Sequence, residues 1–201
     1  TVMYQEYPPC QLLAPYIDKY WEFKGETEYD MHYKILPDGC TDFIFSIGEP
    51  SQPLNGEMLM QPYRFYFVGP MRVYSELVTR STRLHMMGVR FSPCGLAAFA
   101  RMPLGEFTDT RVNASELNVL FDDHFAEMLC EKESLQERIH IIDRHLIAHL
   151  PGLQPVDPQI IRATDLIVRA NGMLPIQQLT DKLYIGCLLY TSPSPRDRSL
   201  S

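Results

Sequence analysis

Two small groups of side chains have types and spacings that could do chemistry. His145 and His149 stand four residues apart, so on a helix they share a face, and His140 lies five residues before His145. A zinc site needs a third ligand on that face and an open position. His140 turns well away from it, so solvated helix histidines are expected rather than a metal site. The second group is Asp38, Cys40 and Asp42, within Pro37-Asp38-Gly39-Cys40-Thr41-Asp42. Acid–base or thiol chemistry is conceivable there. Turn chemistry accounts for the same residues more simply: Pro37 presets φ, Asp38 can accept from the turn backbone, and Gly39 tolerates positive φ. Asn113-Ala114-Ser115 fits a glycosylation acceptor, but Asn113 or Ser115 serves equally as a helix cap. No Walker loop, nucleophile elbow or HExxH pair occurs. No catalytic residue, metal or cofactor is therefore expected. A small enzyme built on either group remains the rival that co-purifying metal would favour.

Composition sets the frame for these groups. The chain has 201 residues, 45% hydrophobic and 11% aromatic, enough for a packed core and one to one and a half domains. The net charge of −7 is a poor match to a polyanion. Cys10, Cys40, Cys94 and Cys130 are scattered without a CxxC pair, so reduced thiols are expected. No run approaches the ~18 apolar residues that span a bilayer, and the start lacks a basic stretch followed by an apolar one. A cytoplasmic protein with no membrane partner is the expectation.

The first ninety residues read as strands. A short helix or turn over 11–20 leads into a strand through Trp21 and Phe23. Met31–Leu36 and Thr41–Ile47 flank the Pro37-Asp38-Gly39 turn and suggest a hairpin. Residues 49–62 read as a loop, and Arg64–Val68, Val73–Thr79 and Arg83–Phe91 as further strands. From Pro93 the period changes. Leu96–Ala100 fits a short helix, Ala114–Cys130 an amphipathic helix, and Ser134–Leu150 another. Pro151–Pro155 reads as a linker. Asp157 then caps a helix with Pro158 at its first position, Asn171-Gly172 ends it, and Pro175 opens a second helix carrying Ile176, Leu179 and Leu183. The expected class is α+β: an antiparallel sheet or barrel-like domain with packed helices over 1–152, then a small all-α segment over 156–186.

The segment Ala163–Gly186 resembles the opening of the AraC-type helix-turn-helix domain, with Ile176, Leu179 and Leu183 at the apolar positions of its second helix. Ile35–Phe45 resembles the PDG-containing hairpin of the sensor domain found ahead of such helices. Tyr20-Trp21-Glu22-Phe23, Gly69-Pro70 and Met87–Pro93 look like its other elements. The resemblance covers roughly residues 4–186 and departs at Cys94, where that family often has Gly. It implies a bacterial one-component transcription regulator, with a sensor or dimerisation domain, a small-molecule effector, DNA as partner of the intact parent, and a homodimer. Gln177, Gln178 and Lys182 would touch phosphates from the scaffold helix. Trp21, Phe43, Phe45, Phe65 and Phe67 are the candidate effector-pocket aromatics, with core packing as the plainer role for most of them. A ligand-binding module without a DNA role is the alternative.

Cys187–Asp197 resembles one translated frame of a transposase-type sequencing-library adapter. Residues 187–201 are accordingly expected to be non-native. Two prolines there, Pro193 and Pro195, are incompatible with a recognition helix, each costing ~3 kcal/mol in a helix interior. The chain is thus expected to be a fragment that lacks DNA reading, and its start at Thr1 is expected to be incomplete as well. In such a fragment Ile167, Leu179 and Leu183 would be left exposed.

Overall fold

The computed structural model describes residues 1–48, 52–54 and 58–185. Among these, the strands are β1 (Val2–Tyr7), β2 (Ile17–Glu26), β3 (His32–Ile35), β4 (Thr41–Ser46), β5 (Gln52–Leu54), β6 (Met58–Met60), β7 (Phe65–Val68), β8 (Ser75–Val78), β9 (Arg83–Phe91) and β10 (Arg111–Asn113). The helices are α1 (Gly95–Phe99), α2 (Ala114–Leu117), α3 (Asp123–Cys130), α4 (Leu135–His149), α5 (Pro158–Arg169) and α6 (Ile176–Leu183). The chain divides into two compact units, Thr1–Pro155 and a second beginning at Val156. No helix among the described residues is long and apolar enough to cross a membrane.

In the first unit the strands make two antiparallel sheets, ordered β1-β2-β9-β4-β7-β10 and β3-β8-β5-β6. Both orders are open, so the barrel-like alternative does not form; the class is α+β with a mostly antiparallel sheet. The six-stranded sheet is covered on both faces. Phe43, Phe45, Phe65, Phe67, Met87, Val89 and Phe91 face a core that Phe121, Phe125 and Leu129 of the α3 region and Ile142 and Leu146 of α4 complete. Their strand neighbours Ile44, Tyr66, Val68 and Met86 face the other way, where Met60 and Leu77 of the second sheet close a smaller core. The period of two along each strand produces this division.

Three sequence expectations change here. The 31–47 hairpin is absent: β3 pairs with β8, and β4 pairs with β7 and β9 in the other sheet. Gly39, at φ 76°, helps turn the chain from one sheet to the other. The 49–62 loop contains a strand pair, β5 with β6. Ala114–Cys130 is broken into two helices, because Asn118 and Leu120 adopt left-handed φ of 49° and 51°. Asp122 restarts the helix by accepting from the Phe125 amide at 2.8 Å. This break turns Phe121 into the core, where it stacks on Phe65 at 4.8 Å.

Helix α4 begins at a reciprocal cap, the Ser134 hydroxyl accepting from the Glu137 amide and the Glu137 carboxylate accepting from the Ser134 amide. Buried Arg138 donates from Nε to the Leu129 carbonyl at 3.2 Å and from Nη2 to the Lys132 carbonyl. A cation thus meets the carbonyl end of α3, where the helix dipole favours it.

In the second unit the Asp157 side chain accepts from the Gln159 amide, with Pro158 in the first turn of α5. Asn171 and Gly172, at φ 49° and 72°, stop that helix, and Tyr184 at φ 55° ends α6. Leu179 and Leu183 are each only 7% exposed, contrary to the exposure expected for them, whereas Ile167 is at 39%. The adapter-like residues 187–201 lie outside the described residues, as does Gly186.

Candidate functional site

A cavity of about 370 Å3 opens between the two sheets of the first unit. That is within the usual range of small-molecule sites. Tyr4, Trp21 and Phe23 of β1 and β2 wall one side, with Tyr33 and Ile35 of β3 and Leu77 of β8 across from them. The rings are close-packed: Tyr4 lies 6.1 Å from Trp21, and Phe23 meets Tyr33 edge-on at 5.2 Å. Met60, Ile44 and Met86 add aliphatic wall.

A charged group sits in this apolar setting. Asp42 and Arg90 are directly opposite in the β4–β9 register. The Arg90 Nε donates to both Asp42 oxygens at 3.2 Å, and its Nη1 lies 2.9 Å from Asp38 Oδ2. The Trp21 indole donates to Asp42 Oδ1 at 2.8 Å. Trp21 can lie there because its register partner is Gly88, where a Cβ would fall 2.0 Å from the indole Cε2. A strand glycine at this spot is thus a seat for the indole.

The electrostatics follow from burial. Burial pushes the Asp42 carboxyl above its ordinary range, against the opposing pull of Arg90 and the indole. Arg90 holds its proton more firmly than usual: burial works against its charge, and Asp42 and Asp38 more than offset that. Burial, with a hydrogen bond to Glu6, pushes the Tyr4 hydroxyl up to about 12. Burial and then Asp38 push the Cys40 thiol up to about 12, so it is no thiolate at neutral pH. Asp38 also accepts from the Cys40 amide at 2.9 Å, the turn bond expected of it.

Of the five proposed pocket aromatics, Trp21 lines this cavity. Phe43, Phe45, Phe65 and Phe67 do not. They point from the opposite face of the same sheet into the core beneath the helices, each 0–2% exposed. Tyr4, Tyr33 and Arg90 line the cavity and were not singled out from sequence. The signal for Arg90 and Asp42 was one charge in each of two apolar strands, TDFIF and GVRF.

His145 and His149 do meet, their ring centroids 4.7 Å apart, but no third ligand joins them among the described residues. His145 Nε2 pairs with the Leu120 carbonyl at 2.6 Å, and its ring packs on Phe125 at 4.3 Å. His149 Nδ1 bonds the His145 carbonyl and His140 is exposed. No metal-type cluster of three His, Cys, Asp or Glu occurs among the described residues. Gln177, Gln178 and Lys182 are exposed on α6.

Fold and site together define a two-sheet α+β domain with a mostly apolar internal cavity. Residues 5–113 match the family model of a domain of unknown function, DUF6597. The match takes in just over half of the chain and spans strands β1 to β10, and the chain belongs to that family. A solved structure described as the AraC-like transcriptional activator CuxR is similar at 14% identity and a TM-score of 0.26, covering 92% of this chain and 66% of that one. The chain therefore spans just under two thirds of that protein's length, and a TM-score that low does not establish a shared fold. No curated relative matches the sequence.

Proposed function

We propose that the first unit is a small-molecule sensor whose effector occupies the cavity between the two sheets. The observation that carries this reading is the cavity itself: preformed, walled by aromatic and aliphatic side chains, with the Arg90–Asp42 pair as its polar anchor. Binding rather than catalysis is the role proposed, since both acids engage Arg90 and the Cys40 thiol stays protonated. The second unit is proposed to be the opening of an AraC-type DNA-binding domain in the intact parent. What supports that reading is the sequence resemblance over 163–186, two successive helices over those residues, and the exposure of Gln177, Gln178 and Lys182 on α6. In that parent, effector binding would shift how the DNA-binding part engages its operator. The chain's charge of −7 favours a second reading, a ligand-binding module with no DNA role.

A thermal-shift screen of small metabolites tests the sensor reading. At least one compound is expected to raise the melting temperature saturably, and Ile44→Trp, which fills the cavity from β4, is expected to abolish that effect. Equal stabilisation of a well-folded Ile44→Trp variant would refute it. Anisotropy titrations with duplex DNA separate the two readings: binding that falls with salt and weakens in Lys182→Ala supports a DNA role, and no binding by the parent supports the module.

A further inference from the structure

The rings and the ionic group of the cavity specify a class of ligand. Resting on the sensor reading above, we propose that the cavity takes an aromatic or apolar monoanion, its carboxylate or equivalent oxyanion received by the open edge of the Arg90 guanidinium and its body laid against Trp21, Tyr4 and Tyr33. Arg90 uses Nε on Asp42 and Nη1 on Asp38. Among the described residues no protein acceptor reaches its Nη2. Nη2 keeps two N–H donors in the fixed guanidinium plane, a seat for an oxyanion, and the surrounding low dielectric strengthens the bond. The Arg90 side chain is 20% accessible and lines the cavity.

An aromatic-walled cavity is equally the shape that accepts a cation, so the sign has to be decided. Both carboxylates on the cavity wall, Asp38 and Asp42, are held by Arg90. A cationic ligand would have to displace that guanidinium from a buried acid, leaving Arg90 partnerless in an apolar setting. Arg111 brings a further positive side chain to the same wall, and Lys34 lines it too, its ammonium 4.4 Å over the Tyr74 ring. An anion breaks none of these bonds. A cavity of about 370 Å3 also exceeds twice the ~150 Å3 that holds benzene, leaving room for a two-ring body and a head group.

Trp21 is the single tryptophan of the chain, so its indole N–H gives one signal, and it lies on the cavity wall. Full-length 15N-labelled protein titrated with 2-naphthoate, 2-naphthamide and 2-naphthylmethylammonium reads out the sign of the site. The naphthoate is expected to shift the indole peak saturably and to bind at least about tenfold more tightly than the amide or the ammonium, a charge-assisted hydrogen bond being worth that ratio. Arg90→Lys keeps the charge beside Asp42 but loses the planar fork, and is expected to weaken naphthoate about tenfold while leaving the amide unchanged. Equal affinities for the three probes, preference for the ammonium, or naphthoate affinity unaltered in Arg90→Lys would overturn the anion assignment while leaving a ligand site. If no probe moves the Trp21 signal at millimolar concentration, the ligand class proposed here fails, and the thermal-shift screen alone decides the sensor reading.

Discussion

Trp21 holds its place because residue 88 has no side chain. Gly88→Ala puts a methyl within the indole ring, and the ring has Asp42 on one side and Tyr4 near it. The expected outcome is a loss of about 1–3 kcal/mol in denaturant unfolding, with a displaced Trp21 indole resonance. Cys94 is the opposite case, a side chain carried on left-handed backbone: its φ is 69°. Cys94→Gly is expected to stabilise the protein by about 0.5 kcal/mol, the left-handed strain relieved exceeding the added freedom of the unfolded chain. A lower melting midpoint for that variant would contradict this. His145 sets a pH dependence. Burial lowers its value below the usual 6.5, the Leu120 carbonyl opposes that, and His149 adds to it. A depressed imidazole favours the neutral form in the fold, so its contribution is complete above 6.5 and lost as pH falls through the folded value. Melting temperatures measured from about pH 7.5 down to about pH 5 should therefore fall more steeply for the wild type than for His145→Gln. Residue types alone made the turn role of Asp38 and the solvation of His140 legible. They could not show that His145 would be half-buried against Phe125, because that depends on the break at Asn118 and Leu120.

At the scale of elements, α4 is set by its first turn. Ser134→Ala removes the cap and is expected to cost about 1 kcal/mol. The Ser134 side chain, then its amide, hold Glu137 below its usual 4.5, so the carboxylate's half of the cap is in place above 4.5 and disappears as pH falls through the folded value. Lower protection factors on acidification, corrected for the intrinsic exchange rate and confined to the first turn of α4, absent in Glu137→Gln, are the observation that checks it. Phe121, in contact with Phe43, Phe65 and Phe125, anchors the helices to the sheet. Phe121→Ala is expected to cost about 3–5 kcal/mol. Elements with strong local signals were legible from sequence: β9 over Arg83–Phe91, α4 behind Ser134, and α5 behind Asp157-Pro158. The pairing of β3 and β4 was not. A Pro-Asp-Gly turn between two β-rich runs has the local chemistry of a hairpin, and only long-range pairing with β8 and β9 sends the two strands into different sheets.

For the molecule as a whole, the two-sheet arrangement explains why the position of the cavity was illegible. Every residue of β4 is buried, so alternation in Thr41–Ser46 carries no mark of which face meets ligand and which meets helices. The aromatic set chosen from sequence mixed the two: Trp21 faces the cavity and Phe43, Phe45, Phe65 and Phe67 face the helices. The class of the fold and the caps of α5 and α6 were recoverable because they rest on local periodicity and turn chemistry. Adjacent residues of β9 now give a direct test of the central claim that ligand enters between the sheets. Met86 lines the cavity and Met87 faces the helix-side core. With methyl-labelled methionines and saturating 2-naphthoate, intermolecular Overhauser contacts are predicted to Met60 and Met86 and none to Met87. Contacts to Met87 without Met86, or to neither while the ligand is bound, would contradict the account.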